Sequence, residues 1–244
     1  LVQPVAIDRL PVAERFVSIN GEGLRAGRLA AFVRFVGCNL ACAWCDTAWA
    51  TVASCPREDL SAADIVSWVG AKRVSCVTLT GGEPALQPGL PSLIEALARD
   101  GSWGEGDERI IEIETNGSVS LALLDELRRL IEPECAFPTR ICFTLDCKAP
   151  SSGMDGEMDF GSYRYLRPDD CVKFVVGSAG DLRFAKDIIA RHGLDASCTV
   201  FFSPVFGSID PAEIVSFMER EGLTRARLQL QLHKIIWPDQ ERGV

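Results

Sequence analysis

Three thiols fall close together in VGCNLACAWCDTAWA (36–50), where Cys38, Cys42 and Cys45 are spaced C-x3-C-x2-C. A structural zinc site wants a closed set of four ligands, usually supplied as C-x2-C pairs. No second pair with that spacing occurs, and Cys142 and Cys147 stand too far apart for a zinc knuckle. A loop with three thiolates can instead wrap three irons of a 4Fe-4S cluster, which cysteine normally holds. The fourth iron then keeps an open position for a substrate or cofactor. A second candidate is TGGEP (80–84), where paired glycines let the backbone approach a ligand closely, as in other Gly-rich cofactor turns.

Arg34 stands within an apolar run, Phe32, Val33, Phe35 and Val36. Strand alternation turns it away from Val33 and Phe35. It faces either the surface or a barrel lumen, where a guanidinium can pair bidentately with a carboxylate. Of the two histidines, His192 ends a helix, where it meets the dipole favourably and reads as structural. His233 lies in an apolar stretch and reads as a core residue or a hydrogen-bonding group.

The elements that must position these residues alternate between short apolar runs and helical patterns. Strands are expected at 30–37, 171–178 and 226–238, and at the start of 74–84, 109–117, 140–153 and 198–207, each of which runs on into a turn or loop. Helices are expected at 61–71 with Ser61 as N-cap, at 89–101 closed by Gly101, and at 120–131, 179–193 and 210–222. Such alternation argues for parallel βαβ units, too few for an eight-stranded closed barrel. The expected architecture is an α/β incomplete (βα)6-type partial TIM barrel, one domain over residues 1–244. Its polar motifs fall where apolar runs end, as chemistry on such folds requires.

The composition is that of a soluble globular chain, 47% hydrophobic and 24% charged. A net charge of -9 argues against a nucleic-acid or membrane-surface binder, which needs a basic patch. No apolar run is long enough to span a bilayer, and LVQPVAIDRL lacks the apolar core of an export signal. Ten cysteines without an export signal point to a reducing cytoplasm, with thiols buried or metal-bound. Cys55, Cys76, Cys135, Cys142, Cys171 and Cys198 are scattered and read as small hydrophobes. The charged runs EGDER (105–109) and DQER (239–242) read as solvated faces.

The cysteine loop, with Trp44 before its last thiol, resembles the radical S-adenosylmethionine (SAM) superfamily, and TGGEP is similar to that superfamily's second signature. More specifically, nearly the whole chain resembles the 7-carboxy-7-deazaguanine synthase family. The matching stretches are SINGEGLRAGRLAAFVRFVGCNLACAWCDT (18–47), ETNG (114–117), DCKAPSSG (146–153), KFVV (173–176), QLHKIIWP (231–238) and the tail ERGV (241–244). The resemblance implies a radical SAM core with a short N-terminal substrate loop and a C-terminal tail closing the site. It implies a lyase that converts 6-carboxytetrahydropterin to 7-carboxy-7-deazaguanine with loss of ammonia, by hydrogen abstraction at C6 and ring contraction. The implied cofactors are a 4Fe-4S cluster, SAM and Mg2+.

By the same resemblance, Cys38, Cys42 and Cys45 hold the cluster and Thr47 ligates Mg2+. Trp44, Cys45, Asp46, Gly82, Glu83, Glu114, Asp146, Cys147 and Lys148 lie along SAM. Ile19, Asn20, Gly21, Glu22, Arg34, Thr80, His233 and the carboxylate of Val244 meet the pterin. Glu114, Lys148 and His233 are the implied catalytic groups. Asn20 stands where the family commonly has Gln, the same amide on a shorter arm. An electron donor such as flavodoxin or ferredoxin and a homodimer are also implied, with no direct nucleic-acid or membrane partner. The competing readings are another radical SAM enzyme, such as a glycyl-radical activase, and a zinc-bound structural module.

Overall fold

The computed structural model describes residues 9–104 and 108–244. The N-terminal stretch read for an export signal, up to residue 8, and most of the charged run EGDER lie outside the described residues.

The chain opens with an antiparallel pair. β1 (Leu10–Ile19) runs against β2 (Leu29–Phe35), with Phe16 opposite Phe32 and Glu14 opposite Arg34. After the cysteine loop come α1 (Ala48–Thr51), β3 (Glu58–Leu60) and α2 (Ala62–Gly70). Ser61 caps α2 as expected, in a reciprocal capping box with Asp64. Then β4 (Cys76–Gly81), α3 (Leu90–Arg99), β5 (Arg109–Thr115), α4 (Ala122–Ile131) and β6 (Thr139–Asp146) follow. The chain continues through β7 (Cys171–Val176), α5 (Ala179–His192), α6 (Leu194–Ser197), β8 (Thr199–Pro204) and α7 (Pro211–Arg220). It ends with β9 (Arg227–Leu228) and α8 (Leu232–Ile236).

The strand order is β3-β1-β2-β4-β5-β6-β7-β8-β9. From β2 to β8 every neighbouring pair is parallel, giving the six strands of the expected partial barrel. The order is linear, so the sheet does not close on itself. Alternation along each strand divides its side chains between two environments. One face carries Val33, Leu79, Ile111, Phe143, Val172 and Phe174 into the main core beneath the helices, where α3 contributes Leu93, Ile94 and Leu97. The other faces the lumen, floored by Ala30, Phe32, Cys76, Ile110 and Cys142, with Phe16 stacked on Phe32 at 4.9 Å.

Three expectations need correction. β1 and β3 were not among the expected strands; β1 carries Pro11 and charged residues and is only half covered, which blurs its pattern. Helix α3 ends at Arg99 with Asp100 as its C-cap, one residue before Gly101. The expected last strand, 226–238, contributes only Arg227–Leu228, and His233 lies on α8. At the end of the sheet the backbone after Leu228 finds another partner: the Leu232 N–H donates to the Gly21 carbonyl.

A buried ion cluster ties α4 to β6. Arg128, 1% exposed, donates to Asp125 at 2.9 Å and to both Asp170 oxygens at 2.9 and 3.0 Å. Its third nitrogen reaches the Tyr165 carbonyl, and its plane lies 4.2 Å over the Phe143 ring. Removing one partner of such a cluster strands the others uncompensated. Arg128→Met is therefore expected to cost about 3–5 kcal/mol, seen as a lower midpoint in equilibrium denaturation. A change below about 1 kcal/mol would show that the cluster carries no such load.

Candidate active site at the mouth of the barrel

The cysteine loop follows β2, and its base is set by TGGEP. The Gly82 N–H donates to Phe35 O at 3.0 Å and the Glu83 N–H to Gly37 O at 2.8 Å. A Cβ on Gly82 would lie 2.0 Å from Gly37 O, and one on Gly81 2.4 Å from Phe35 O. Gly81 also has φ 146°, outside the usual range of L residues. The close approach made by the paired glycines is thus to the backbone that launches the cysteine loop. Glu83 is fully buried and does not face the mouth. Its carboxylate accepts from Ala85 N at 2.9 Å, Thr115 Oγ1 at 2.9 Å and Asn116 N at 2.6 Å. Its side chain thereby staples the ends of β4 and β5.

Cys38, Cys42 and Cys45 are free and half-buried, whereas Cys55, Cys76, Cys142, Cys147, Cys171 and Cys198 are buried. Donors surround the loop's thiols. Leu40 N lies 3.4 Å and Asn116 Nδ2 3.5 Å from Cys38 Sγ, and the Thr47 hydroxyl lies 3.7 Å from Cys45 Sγ. Burial pushes the Cys42 thiol up, while the nearby Lys148 charge pulls it down. Thr47 occupies the N-cap position of α1 but makes no side-chain cap bond, so its hydroxyl turns to Cys45 Sγ and not to the helix. The indole N–H of Trp44 is buried without an acceptor. Three accessible thiols served by N–H and O–H donors fit a cluster whose sulfur ligands accept hydrogen bonds.

Opposite this loop sits Asn20–Arg28, the β1–β2 connection. Asn20 is 1% exposed, and both ends of its amide are engaged: Oδ1 accepts from Thr78 at 2.9 Å and Nδ2 points at Cys76 Sγ at 3.6 Å. Both bonds fix the root of the loop. Ile19 ends β1 and is half-buried. Gly21 lies against α8, where a Cβ would fall 2.5 Å from His233 Nδ1. The other ring nitrogen of His233 is 3.7 Å from Asp46 on the cysteine loop, and Lys234 is 3.8 Å from the same carboxylate. His233 thus stands between the two loops. Gln229 clamps Gly23, accepting from its N–H at 2.7 Å and donating to its carbonyl at 2.9 Å.

The lumen beneath holds the remaining groups. Thr80 is buried on β4, and Glu114 is half-buried on β5. Arg34 points into the lumen, but its Nε is bonded to Glu14 at 2.8 Å, with Phe16 and Trp49 against the guanidinium. Arg242 of the tail stacks on the same Trp49 at 4.1 Å, two residues before Val244. Glu22 is not a solvated loop carboxylate: it is 10% exposed and bonded to Lys173 of β7. Asp146 accepts from Lys148 at 2.8 Å and lies 3.8 Å from Lys173. Although burial opposes it, Asp146 raises the Lys148 pKa; Glu22 and Asp146 do the same for Lys173. The Cys147 side chain is wholly buried in the main core, so any part it takes in lining SAM falls to its backbone.

The family model for the radical SAM superfamily matches residues 32–146. A 7-carboxy-7-deazaguanine synthase from Clostridium acetobutylicum is 43% identical, covering 96% of this chain and 98% of the relative. One from Chlorobaculum tepidum is 36% identical, covering 96% and 97%. The chain belongs to the 7-carboxy-7-deazaguanine synthase family. The solved structure of QueE from Escherichia coli shares the fold, with a TM-score of 0.63 at 22% identity over 91% of this chain and 94% of that one. For a member of this synthase family the activase and zinc-module readings are not favoured.

Lys173, Glu112, Glu14 and Gln229 were not among the expected site residues. Lys173 interrupts CVKFVV just as Arg34 interrupts AFVRFV, so the signal that singled out one was present for the other. Glu112 alternates with Glu114 in IIEIE. It is 2% exposed, accepts from Thr144 at 2.6 Å, and its second oxygen has no partner.

Two expectations follow. In Gly82→Ala the new methyl must displace Gly37–Cys38; iron bound after reconstitution should fall sharply while far-UV circular dichroism stays native. Full iron loading would mean that the contact is slack. Burial first, then the charge of Glu114, pushes Glu112 up from 4.5 to about 7. The folded chain then holds this proton more tightly than the unfolded chain, so its contribution to stability falls as pH rises through the window from 4.5 to about 7. Glu112→Gln should remove that slope, measured as the difference between wild-type and variant denaturation midpoints across the window. A constant difference would reject the shift.

Proposed function

We propose that this chain converts 6-carboxytetrahydropterin to 7-carboxy-7-deazaguanine with release of ammonia. The observation that carries the reading is the meeting of two loops at one mouth. The cysteine loop and the Gly21–Gly23 loop are joined through His233, which touches the position of a Gly21 side chain and faces Asp46.

Cys38, Cys42 and Cys45 would hold a 4Fe-4S cluster, and the cluster with SAM would supply the hydrogen-abstracting radical. The chain's own residues bind and orient the pterin. Glu22, with one carboxylate oxygen unpaired, suits the N–H donors of the pterin's aminopyrimidine edge. Arg34 and the C-terminal tail lie together by Trp49, which suits the substrate's carboxylate end. Thr47, whose hydroxyl does not cap α1, would offer an oxygen to Mg2+, which keeps most of its waters and takes substrate oxygens. Asp146 and Lys148, paired at 2.8 Å, would line SAM. His233 and Glu114 are the groups placed to hold or move a proton at the substrate. An external one-electron donor of the flavodoxin or ferredoxin type and a second copy of the chain complete the reading, as does a cytoplasmic setting. Among the described residues no helix is long and apolar enough to cross a membrane.

Anaerobically reconstituted protein should be brown with about four irons per chain. Given SAM, a reductant and 6-carboxytetrahydropterin, it should yield the deazaguanine; iron-loaded protein that forms none would overturn the reading. Cys42→Ala should lose SAM cleavage and most of its iron while keeping its thermal midpoint, and retained cleavage would reject the ligand assignment.

A further inference from the structure

We infer that Lys173 is a positioning residue that couples the pterin loop to the SAM side of the barrel, so that each ligand raises the affinity for the other. The inference rests on the proposed placing of the pterin at Glu22 and of SAM at Asp146. Lys173 projects from β7 into the lumen with its side chain 11% exposed. Its ammonium holds Glu22, which comes from the loop after β1, far from β7 in the strand order. The same ammonium lies 3.8 Å from Asp146 Oδ2, which in turn accepts from Lys148 at 2.8 Å. A continuous chain of alternating charge therefore runs from Glu22 through Lys173 and Asp146 to Lys148.

The two carboxylates share a second feature. Each uses one oxygen on a lysine and leaves the other, Glu22 Oε1 and Asp146 Oδ1, buried without a hydrogen-bond partner. Orphaned buried acceptors are costly, and ligands bearing N–H or O–H groups would satisfy them. An ammonium has three donors and can serve both carboxylates. A donor arriving at Glu22 fixes that carboxylate and, through Lys173, fixes Asp146. The second ligand then meets a group already ordered, which is positive coupling by linkage. A lysine that merely neutralised buried charge would lower stability on removal but leave the ratio of affinities unchanged.

The test is equilibrium binding on the reconstituted holoenzyme without reductant, so that nothing turns over. SAM affinity is measured with and without saturating 6-carboxytetrahydropterin. In wild type the pterin should tighten SAM by about tenfold. In Lys173→Met the factor should fall to about 1, and under turnover conditions 5′-deoxyadenosine should exceed deazaguanine. Because Lys173→Met leaves two carboxylates facing each other, Glu22→Gln/Lys173→Met serves as the charge-matched variant and should show the same loss of coupling. A folded double variant with wild-type coupling overturns the inference, as does a wild type whose SAM affinity ignores the pterin. Either result leaves the proposed function standing if wild type still forms product, whereas a wild type that forms none removes that reading and this inference together.

Discussion

Everything at the mouth depends on a backbone-to-backbone contact that only glycine permits. Gly81 and Gly82 lie so close to Phe35, Gly37 and Cys38 that a methyl at either would overlap main-chain atoms. Two main-chain hydrogen bonds weld the turn to the loop's first residues. Glu83 extends the weld sideways, gathering Thr115 and the Asn116 N–H, and Asn116 then reaches Cys38 Sγ. The first thiol is thus referenced to three successive parallel strands, β2, β4 and β5. A long loop would otherwise be mobile; anchoring its entry restricts where all three thiols can lie. Because Glu83 accepts three hydrogen bonds inside the protein, its burial is tolerated despite the cost of desolvation, which raises its pKa.

The lumen shows a second constraint, imposed by strand alternation. Residues that do not face the helices must face inward, and inward positions near the C-terminal ends are polar or charged: Thr80, Glu114, Asp146 and Lys173. Charges there need partners, and the chain supplies them in pairs: Arg34 with Glu14, Lys173 with Glu22, Lys148 with Asp146. The lumen cations are therefore balanced before any anion arrives. A net charge of -9 excludes a broad basic surface, yet leaves a small acidic ligand acceptable wherever a paired arginine or lysine retains free donors.

The parallel strands and most helices were legible because apolar periodicity and caps coincide, as at Ser61 and Asp210. The cysteine loop was legible because three thiols at short spacing have few alternative uses. What was not legible was direction and saturation. TGGEP reads as a cofactor turn, but only three-dimensional packing shows its glycines facing the neighbouring loop. Asn20, Glu83 and Cys147 have types suited to a site, and nothing local shows that their polar atoms are already engaged or sealed in the core. Lys173 shows the reverse: a lysine in an apolar strand pairs with a glutamate 151 positions away, a relation set by the barrel and not by spacing. The tail failed for a related reason. LQLQL alternates like a strand, yet at the end of the sheet Gln229 is spent on Gly23 and the chain turns into α8.

The seven parallel strands, β2 and β4 to β9, form an open order, whereas a full eight-stranded barrel would fill its lumen with packed side chains. An open order leaves room for ligands but also leaves a side to be sealed. The chain seals it with its own two ends. The Asn20–Arg28 connection folds inward over the lumen, and the segment from Gln229 to His233 grips it by both backbone groups of Gly23 and the carbonyl of Gly21. Segments more than two hundred residues apart thereby form one wall. That wall carries Glu22 inside and His233 beside Asp46, so closing the barrel and assembling the ligand-facing groups are the same event. A substrate loop held by side-chain amides and single main-chain bonds is easier to release than a sheet strand, which suits a wall that must admit a ligand and then return.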